Sequence, residues 1–404
     1  MMAELRLAID FGATGNSQSY LGGGWAQSEP AFTWAVGNES RLRIPLDPDG
    51  RDADLQEYVL TLDLVPFIHA PELSVQRLIV SVNDTVVGSM SFARPTLLGY
   101  RCPAAQARRD SVLTIVLQHP DASRPSDFGA SADDRLLAFS LAEAKLYRIA
   151  AKPADMVWRL PPGMMLDANG GNFGAQRQDD LVQWVARRTK LDLAQLAMQF
   201  ESVGENCEFG LVQRQCGAEP LGLLRFSSTF LRSLIRGLDD GFEGIGERDD
   251  VEPYLSGDTP REYMIHEKKY GLVYHSFVYE GQRSIWLMRE QESARLQFLR
   301  RKFAEELEVA EKIFVYKRNA PVSEEEILPL FLALRRHGNN TLLWVVPAER
   351  DRPSGTVEIM MPGLLKGYID RFAPDENAHN FSFDEWMRVC ANAWVLTRLS
   401  KGDS

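Results

Sequence analysis

Cysteine is scarce, with four in 404 residues, at positions 102, 207, 216 and 390. No two have Cys-x-x-Cys spacing, which removes a zinc ribbon and a thioredoxin-type motif. So few cysteines in so long a chain also remove a disulfide scaffold. A basic surplus is missing too: 45 Lys and Arg face 56 Asp and Glu, for a net charge of −11. Phosphate binding needs a concentrated basic face, so nucleic acid is not an expected partner. No run approaches the roughly 18 apolar residues of a membrane span, and none is expected. The opening MMAELRLAIDFG lacks the apolar core of a secretion signal, which makes the cytoplasm the expected compartment. No ligand spacing points to a metal or an organic cofactor, and neither is expected. What is there is ordinary globular material, 45% apolar and 25% charged, enough for two or three domains.

Residues 1–150 read as an all-β sandwich of the jelly-roll kind. Short alternating runs recur at Leu42–Leu46, Tyr58–Val65, Leu78–Asn83, Val86–Phe92, Ser111–Gln118 and Lys145–Ile149, separated by Asp, Pro and Gly clusters. Asn83-Asp84 between two such runs predicts a hairpin turn. Residues 151–178, with Pro161-Pro162-Gly163 and Asn169-Gly170-Gly171-Asn172, resist both helix and strand and read as a linker.

From 179 to 404 the pattern mixes α and β. Helical spacing runs over 179–200, 205–215, 225–238 and 290–312, and 270–279 alternates as a strand. Two apolar strands, Ile313–Tyr316 and Thr341–Val346, flank a helix from Ser323 to His337. This is the sequence form of a βαβ crossover, and Ser323 with Glu326 has capping-box spacing. A last helix, Phe383–Leu399, carries Trp386 and Trp394 on its apolar side.

The most suggestive stretch for chemistry is Phe200–Gly210. Gly204 to Asn206 read as the mouth of a helix with Cys207 in its first turn, where the partial positive charge of the helix start favours a thiolate. A nucleophilic cysteine needs a base, and of six histidines His275 stands apart, inside the apolar strand Tyr270–Phe277. A buried inert cysteine and a histidine satisfied by a neighbouring carbonyl are the plainer alternatives. Asn206 suits either an oxyanion donor, with the Cys207 backbone N–H, or a helix cap. Asn319 could orient the imidazole or simply turn the chain ahead of Pro321. Lys317 and Arg318 follow an apolar strand, where α/β proteins present ligand contacts.

The segment GENCEFGLVQRQCGAEPLGLLRF, then YGLVYHSF, GTVEIMMPGLLKGYIDRFAP and the tryptophan-bearing last helix, resembles a bacterial family of papain-like cysteine peptidases of unknown function. The resemblance covers about residues 195–400. It implies an α+β papain-like domain in which Cys207, preceded by Gly204 and Asn206, pairs with His275 on a later strand. Family members often carry Asp directly after the histidine, where this chain has Ser276.

In the first domain, Gly22-Gly23-Gly24-Trp25, then Glu29-Pro30 and Phe32-Thr33-Trp34, is similar to the opening of β-sandwich modules found beside bacterial polysaccharide glycosyltransferases. That resemblance implies a glycan ligand and glycosyltransferase partners. Trp25 and Trp34 would stack on sugar rings and Glu29 would bind hydroxyls, unless the tryptophans plug the ends of the sandwich. Two functions stand open. One is a Cys–His hydrolase or acyltransferase working through a thioester on a glycoconjugate in exopolysaccharide metabolism; the other is a carbohydrate-binding accessory protein without catalysis.

Overall fold

The computed structural model describes residues 3–46, 56–102, 112–129, 131–150, 159–160, 178–257 and 259–401. The expected linker, 151–178, lies outside the described residues apart from 159, 160 and 178. The chain divides into two compact units, Met1–Lys152 with Ser323–Leu332, and Pro153–Val322 with Ala333–Ser404.

The first unit contains β1 (Glu4–Asp10), β2 (Thr33–Val36), β3 (Glu39–Pro45), β4 (Gln56–Pro66) and β5 (Gln76–Val82). It continues with β6 (Thr85–Phe92), β7 (Thr96–Cys102), β8 (Val112–Gln118) and β9 (Leu137–Ala150). Two antiparallel sheets result, β1-β9-β4-β7 and β3-β8-β5-β6, with β2 continuing the line of β1 along β9. This is the strand order of a jelly roll, so the first unit is a β-sandwich. Alternation is the cause. In β3, Ser40, Leu42 and Ile44 are buried while Arg41 and Arg43 face out. Leu60, Leu62 and Leu64 of β4 share one core with Leu78, Val80 and Val82 of β5. Asn83 and Asp84 have φ of 43° and 66°, the left-handed pair that a two-residue type I′ turn requires.

The second unit runs β10 (Arg159–Leu160), α1 (Gln178–Thr189), α2 (Leu193–Ala197), β11 (Phe200–Ser202) and α3 (Glu208–Gln215). Then follow β12 (Ser227–Ser228), α4 (Leu231–Asp239), β13 (Val251–Leu255), β14 (Glu262–Glu267), β15 (Leu272–Tyr279) and α5 (Ile285–Val309). After these come β16 (Ile313–Tyr316), α6 (Glu324–His337, counted with the first unit as far as Leu332), β17 (Thr341–Pro347), β18 (Val357–Met361), β19 (Leu364–Ile369) and α7 (Phe383–Lys401). The expected capping box opens α6, with Ser323 N donating to Glu326 Oε2 and Glu326 N to Ser323 Oγ.

The main sheet has the order β10-β18-β19-β17-β16-β11. β19, β17, β16 and β11 run parallel, and β18 and β10 are antiparallel at one edge. β16 is buried along its whole length, as a strand covered on both faces must be. Leu181 and Val185 of α1, Phe209 of α3 and Trp386 of α7 pack into the core on this sheet. Phe303 of α5 meets Phe314 of β16 edge-on, with ring centroids 6.0 Å apart. A second, antiparallel sheet has the order β12-β15-β14-β13. Its Val251, Tyr263, Ile265, Leu272 and Tyr274 are buried, and Tyr274 OH donates to Glu292 of α5.

Helices and strands are mixed in this unit as expected. Its main sheet is largely parallel, with the expected βαβ crossover between β16 and β17, an α/β arrangement with a separate antiparallel sheet added. The papain-like part of the α+β expectation does not follow from this strand order. Strands as short and apolar as β11 and β16 carry no direction signal in their sequence. No described helix is long and apolar enough to cross a membrane.

Candidate functional site

The parallel strands of the second unit end on one edge of their sheet, the side where α/β folds place ligands. Past β11 the ladder continues: Val203 N donates to Val315 O at 2.9 Å and Glu205 N to Lys317 O at 3.3 Å. Gly204 lies so close that a β-carbon there would sit 3.1 Å from the Lys317 carbonyl oxygen. Cys207 follows, as the N-cap of α3 rather than inside its first turn, and its side chain makes no capping bond. Asn206 does the capping work instead, its Oδ1 accepting from Glu208 N at 3.1 Å. The Cys207 thiol is half-buried. Burial pushes it above the ordinary thiol range; the Lys317 cation pulls it down and the Glu208 carboxylate pushes it up, without reversing the burial effect.

Lys317 is only 1% exposed. Its Nζ donates to Glu208 Oε2 at 2.6 Å and to Asn319 Oδ1 at 2.8 Å, and sits 4.8 Å from the Phe372 ring centre. Burial lowers its pKa while Glu208 pulls the other way. Glu208 also accepts from Ala373 N at 3.1 Å and from Trp386 Nε1 at 2.8 Å, so one carboxylate ties together α3, β16, α7 and the segment after β19. Asn319 turns its amide nitrogen to Ala373 O at 3.0 Å and to Asp375. Arg318 folds onto the carbonyls of Ala320 and Pro321, 3.9 Å from Glu205. Cys207, Asn206, Lys317, Arg318 and Asn319 therefore share one sheet edge. Glu208, which holds them, was overlooked; its sequence signal was an acid set between a cysteine and a phenylalanine in a buried stretch.

His275 belongs to β15, in the antiparallel sheet. Its Nδ1 lies 3.0 Å from Glu262 Oε2, and its ring stacks on Phe277 at 5.9 Å and 24°. Asn319 is not among its partners. Glu262 was not foreseen as the residue that orients the imidazole, because β14 was not read as a strand.

In the first unit the two tryptophans part company. Trp25 packs against the core, 5.4 Å from Phe11, and its Nε1 donates to Arg41 O at 2.8 Å. Trp34 points the other way from its buried neighbour Ala35, opposite Ser140 of β9. Among the described residues its indole N–H has no acceptor. It meets Phe32 (5.8 Å) and Phe67 (6.4 Å) edge-on; Phe67 leads to Phe128 (6.2 Å), which stacks on His69 at 4.5 Å. All five rings are half-buried. Glu29 joins this row through its N–H, which donates to Phe32 O, and its carboxylate lies 3.9 Å from Arg135. Phe32 thus links the Trp34 ring to the Glu29 backbone, while Trp25 is a core contact.

No family model and no curated protein matches this sequence. Among solved structures, the chain is similar over 35% of its length to the CBM36-1 domain of a multidomain xylanase from the hindgut metagenome of Trinervitermes trinervoides. It covers 94% of that chain, at 11% identity and a TM-score of 0.21. It is similar to a carbohydrate-binding module CBM36 in complex with calcium and xylotriose over 35% of this chain and 98% of that one, at 9% identity and a TM-score of 0.20. A family two carbohydrate esterase from Clostridium thermocellum matches over 81% and 77% of the two chains, at 9% identity and a TM-score of 0.18. Likeness at this level bears on neither fold nor function.

Proposed function

We propose that this chain binds glycans through the outer face of its jelly roll. The observation that carries the reading is Trp34. It lies outside the core in a row of half-buried rings, its N–H is free among the described residues, and the backbone of Glu29, whose carboxylate faces Arg135, is bonded to its neighbour Phe32. Sugar rings present apolar C–H faces that stack on such aromatics, while their hydroxyls need nearby donors and acceptors. The test is calorimetric titration of the full chain with a panel of neutral and acidic oligosaccharides. At least one should bind, and Trp34→Ala should weaken it by about tenfold or more, the scale of one lost aromatic contact. Absence of binding across the panel, or equal binding by Trp34→Ala, would sink the reading.

A second reading, a hydrolase or acyltransferase using Cys207 through a thioester, draws on one feature, the Lys317 cation beside a thiol at the start of α3. Burial works against it, and the partner of His275 is Glu262. The pH dependence of iodoacetamide alkylation decides: a Cys207 that reacts at neutral pH and loses that reactivity in Lys317→Ala supports the second reading. Alkylation confined to alkaline pH removes it.

A further inference from the structure

The antiparallel sheet of the second unit shows two anomalies side by side. The first is Phe277. It has φ of +56°, in the left-handed region that a bulky side chain rarely adopts, yet it is 64% exposed and gains little by burial. Strain of this kind persists only where neighbours over-determine it. Here Glu262 Oε1 accepts from Phe277 N at 2.8 Å, Ser276 Oγ donates to Tyr263 O, and Val278 N donates to Ser276 Oγ at 3.1 Å. The second is His275, whose side chain is 55% exposed although it lies mid-strand. The other oxygen of Glu262, whose side chain is 13% exposed, faces His275 Nδ1 at 3.0 Å.

One carboxylate therefore does two things. It holds the bulge, and by accepting from Nδ1–H it leaves the lone pair on Nε2, which has no partner among the described residues. Met264 pairs with both His275 and Tyr254, so these three form a row across β15, β14 and β13. Tyr254 is 43% exposed, which makes this the outer face of the sheet. Aromatic and thioether surface surrounds the imidazole. On this face Glu252 stands opposite His266 in the ladder, Glu262 faces His275, and Arg261 is held by Glu280. Such a face suits an uncharged ligand with an apolar group.

We propose that His275 is a general base for hydrolysis of neutral acyl esters, with Glu262 as its positioning residue and the Phe277 ring as the floor for the acyl group. Nε2 takes a proton from water as the water oxygen bonds to the ester carbonyl carbon. The tetrahedral adduct then breaks its bond to the alcohol oxygen, which leaves with the electron pair and takes the proton from Nε2. Ester and water become acid and alcohol, and the imidazole is restored. The Nδ1 proton stays on the Glu262 side throughout, as in other carboxylate-oriented histidines. This does not depend on the glycan reading.

The test uses the full chain with 4-nitrophenyl acetate and butyrate, beside 15N spectra of the histidine side chains with His275 assigned from His275→Ala. The wild type should carry the proton on Nδ1 and hydrolyse the esters about 10²-fold faster than His275→Ala. Glu262→Gln can still accept from Phe277 N, so the bulge survives, but its amide N–H faces Nδ1 and forces the proton to Nε2. It should lower kcat toward the His275→Ala value with KM little changed, and Glu262→Asp should restore Nδ1–H and part of kcat. Phe277→Gly, which relieves the backbone, should raise KM for the butyrate more than for the acetate. A wild type no faster than His275→Ala, or one whose His275 proton sits on Nε2, overturns the proposal. So does a Glu262→Gln variant that shifts the proton without lowering kcat.

Discussion

Replacing Glu208 by glutamine strips the only counter-charge among the described residues within hydrogen-bond reach of the Lys317 ammonium, which is 1% exposed. Breaking a buried ion pair on one side costs about 3–5 kcal/mol, because the remaining charge is left in a poor solvent. The amide also cannot serve all three donors that converge there. Lys317 Nζ and Ala373 N point at one oxygen and Trp386 Nε1 at the other, so the new NH2 group faces a donor either way. One escape limits the loss: Lys317 can shed its proton. From an ordinary lysine value of about 10.4 that costs about 5 kcal/mol at pH 7 and only about 2 kcal/mol at pH 9. Glu208→Gln should therefore be destabilised by about 3–5 kcal/mol at pH 7, and by visibly less at pH 9. Urea unfolding followed by tryptophan fluorescence measures both, since Trp386 donates directly to residue 208. Glu208→Gln combined with Lys317→Met should lose less than the two single changes added together. A loss below about 1 kcal/mol at pH 7, or one equal at both pH values, would mean that water reaches this ammonium and that the hub is not a buried charge pair.

Glu201 is buried, with Lys312 at 3.2 Å from one oxygen and no hydrogen-bond partner for the other among the described residues, and burial pushes its pKa up to about 7 from 4.5. A carboxyl raised on folding keeps a proton that the unfolded chain has released. Stability should thus fall between about pH 4.5 and 7 by up to about 3 kcal/mol and level off above, and Glu201→Gln should flatten that slope in urea titrations. Gly204→Ala should cost about 1–3 kcal/mol by thermal unfolding, as its β-carbon would press on the Lys317 carbonyl. Asp84→Gly, at φ of 66°, should raise stability by up to about 1 kcal/mol, because glycine adopts that conformation without strain.

The jelly roll was legible because its strands alternate. β3, β5 and β8 each put one face of side chains into a common core, and Asn83-Asp84 announces its own turn. Strands that break this rule were missed. β7 carries three consecutive buried residues around Gly99, and only the Lys145–Ile149 portion of β9 was read as strand. In the second unit, β16 and β17 were found as apolar runs, and the helix between them with its cap was found too. The crossover reading carries their parallel pairing with it, and they do pair parallel; that β11 and β19 join them in parallel is not written in a few apolar residues.

The candidate site residues were found one by one in the sequence, but the contacts that hold each of them were not legible there. Cys207 does lie at a helix start, but its thiol is half-buried there, and burial outweighs a backbone hydrogen bond and the Lys317 cation. Asn319 and Lys317 proved to be partners of each other. His275 needed an acid that lies thirteen positions upstream on the preceding strand of a hairpin. That acid is found only once the register is known, and the register there is broken by the bulge between Glu262 and Met264. Periodicity shows which face a residue belongs to. A bulge changes which residues meet across the strands, and here that break is what brings Glu262 to both His275 and Phe277.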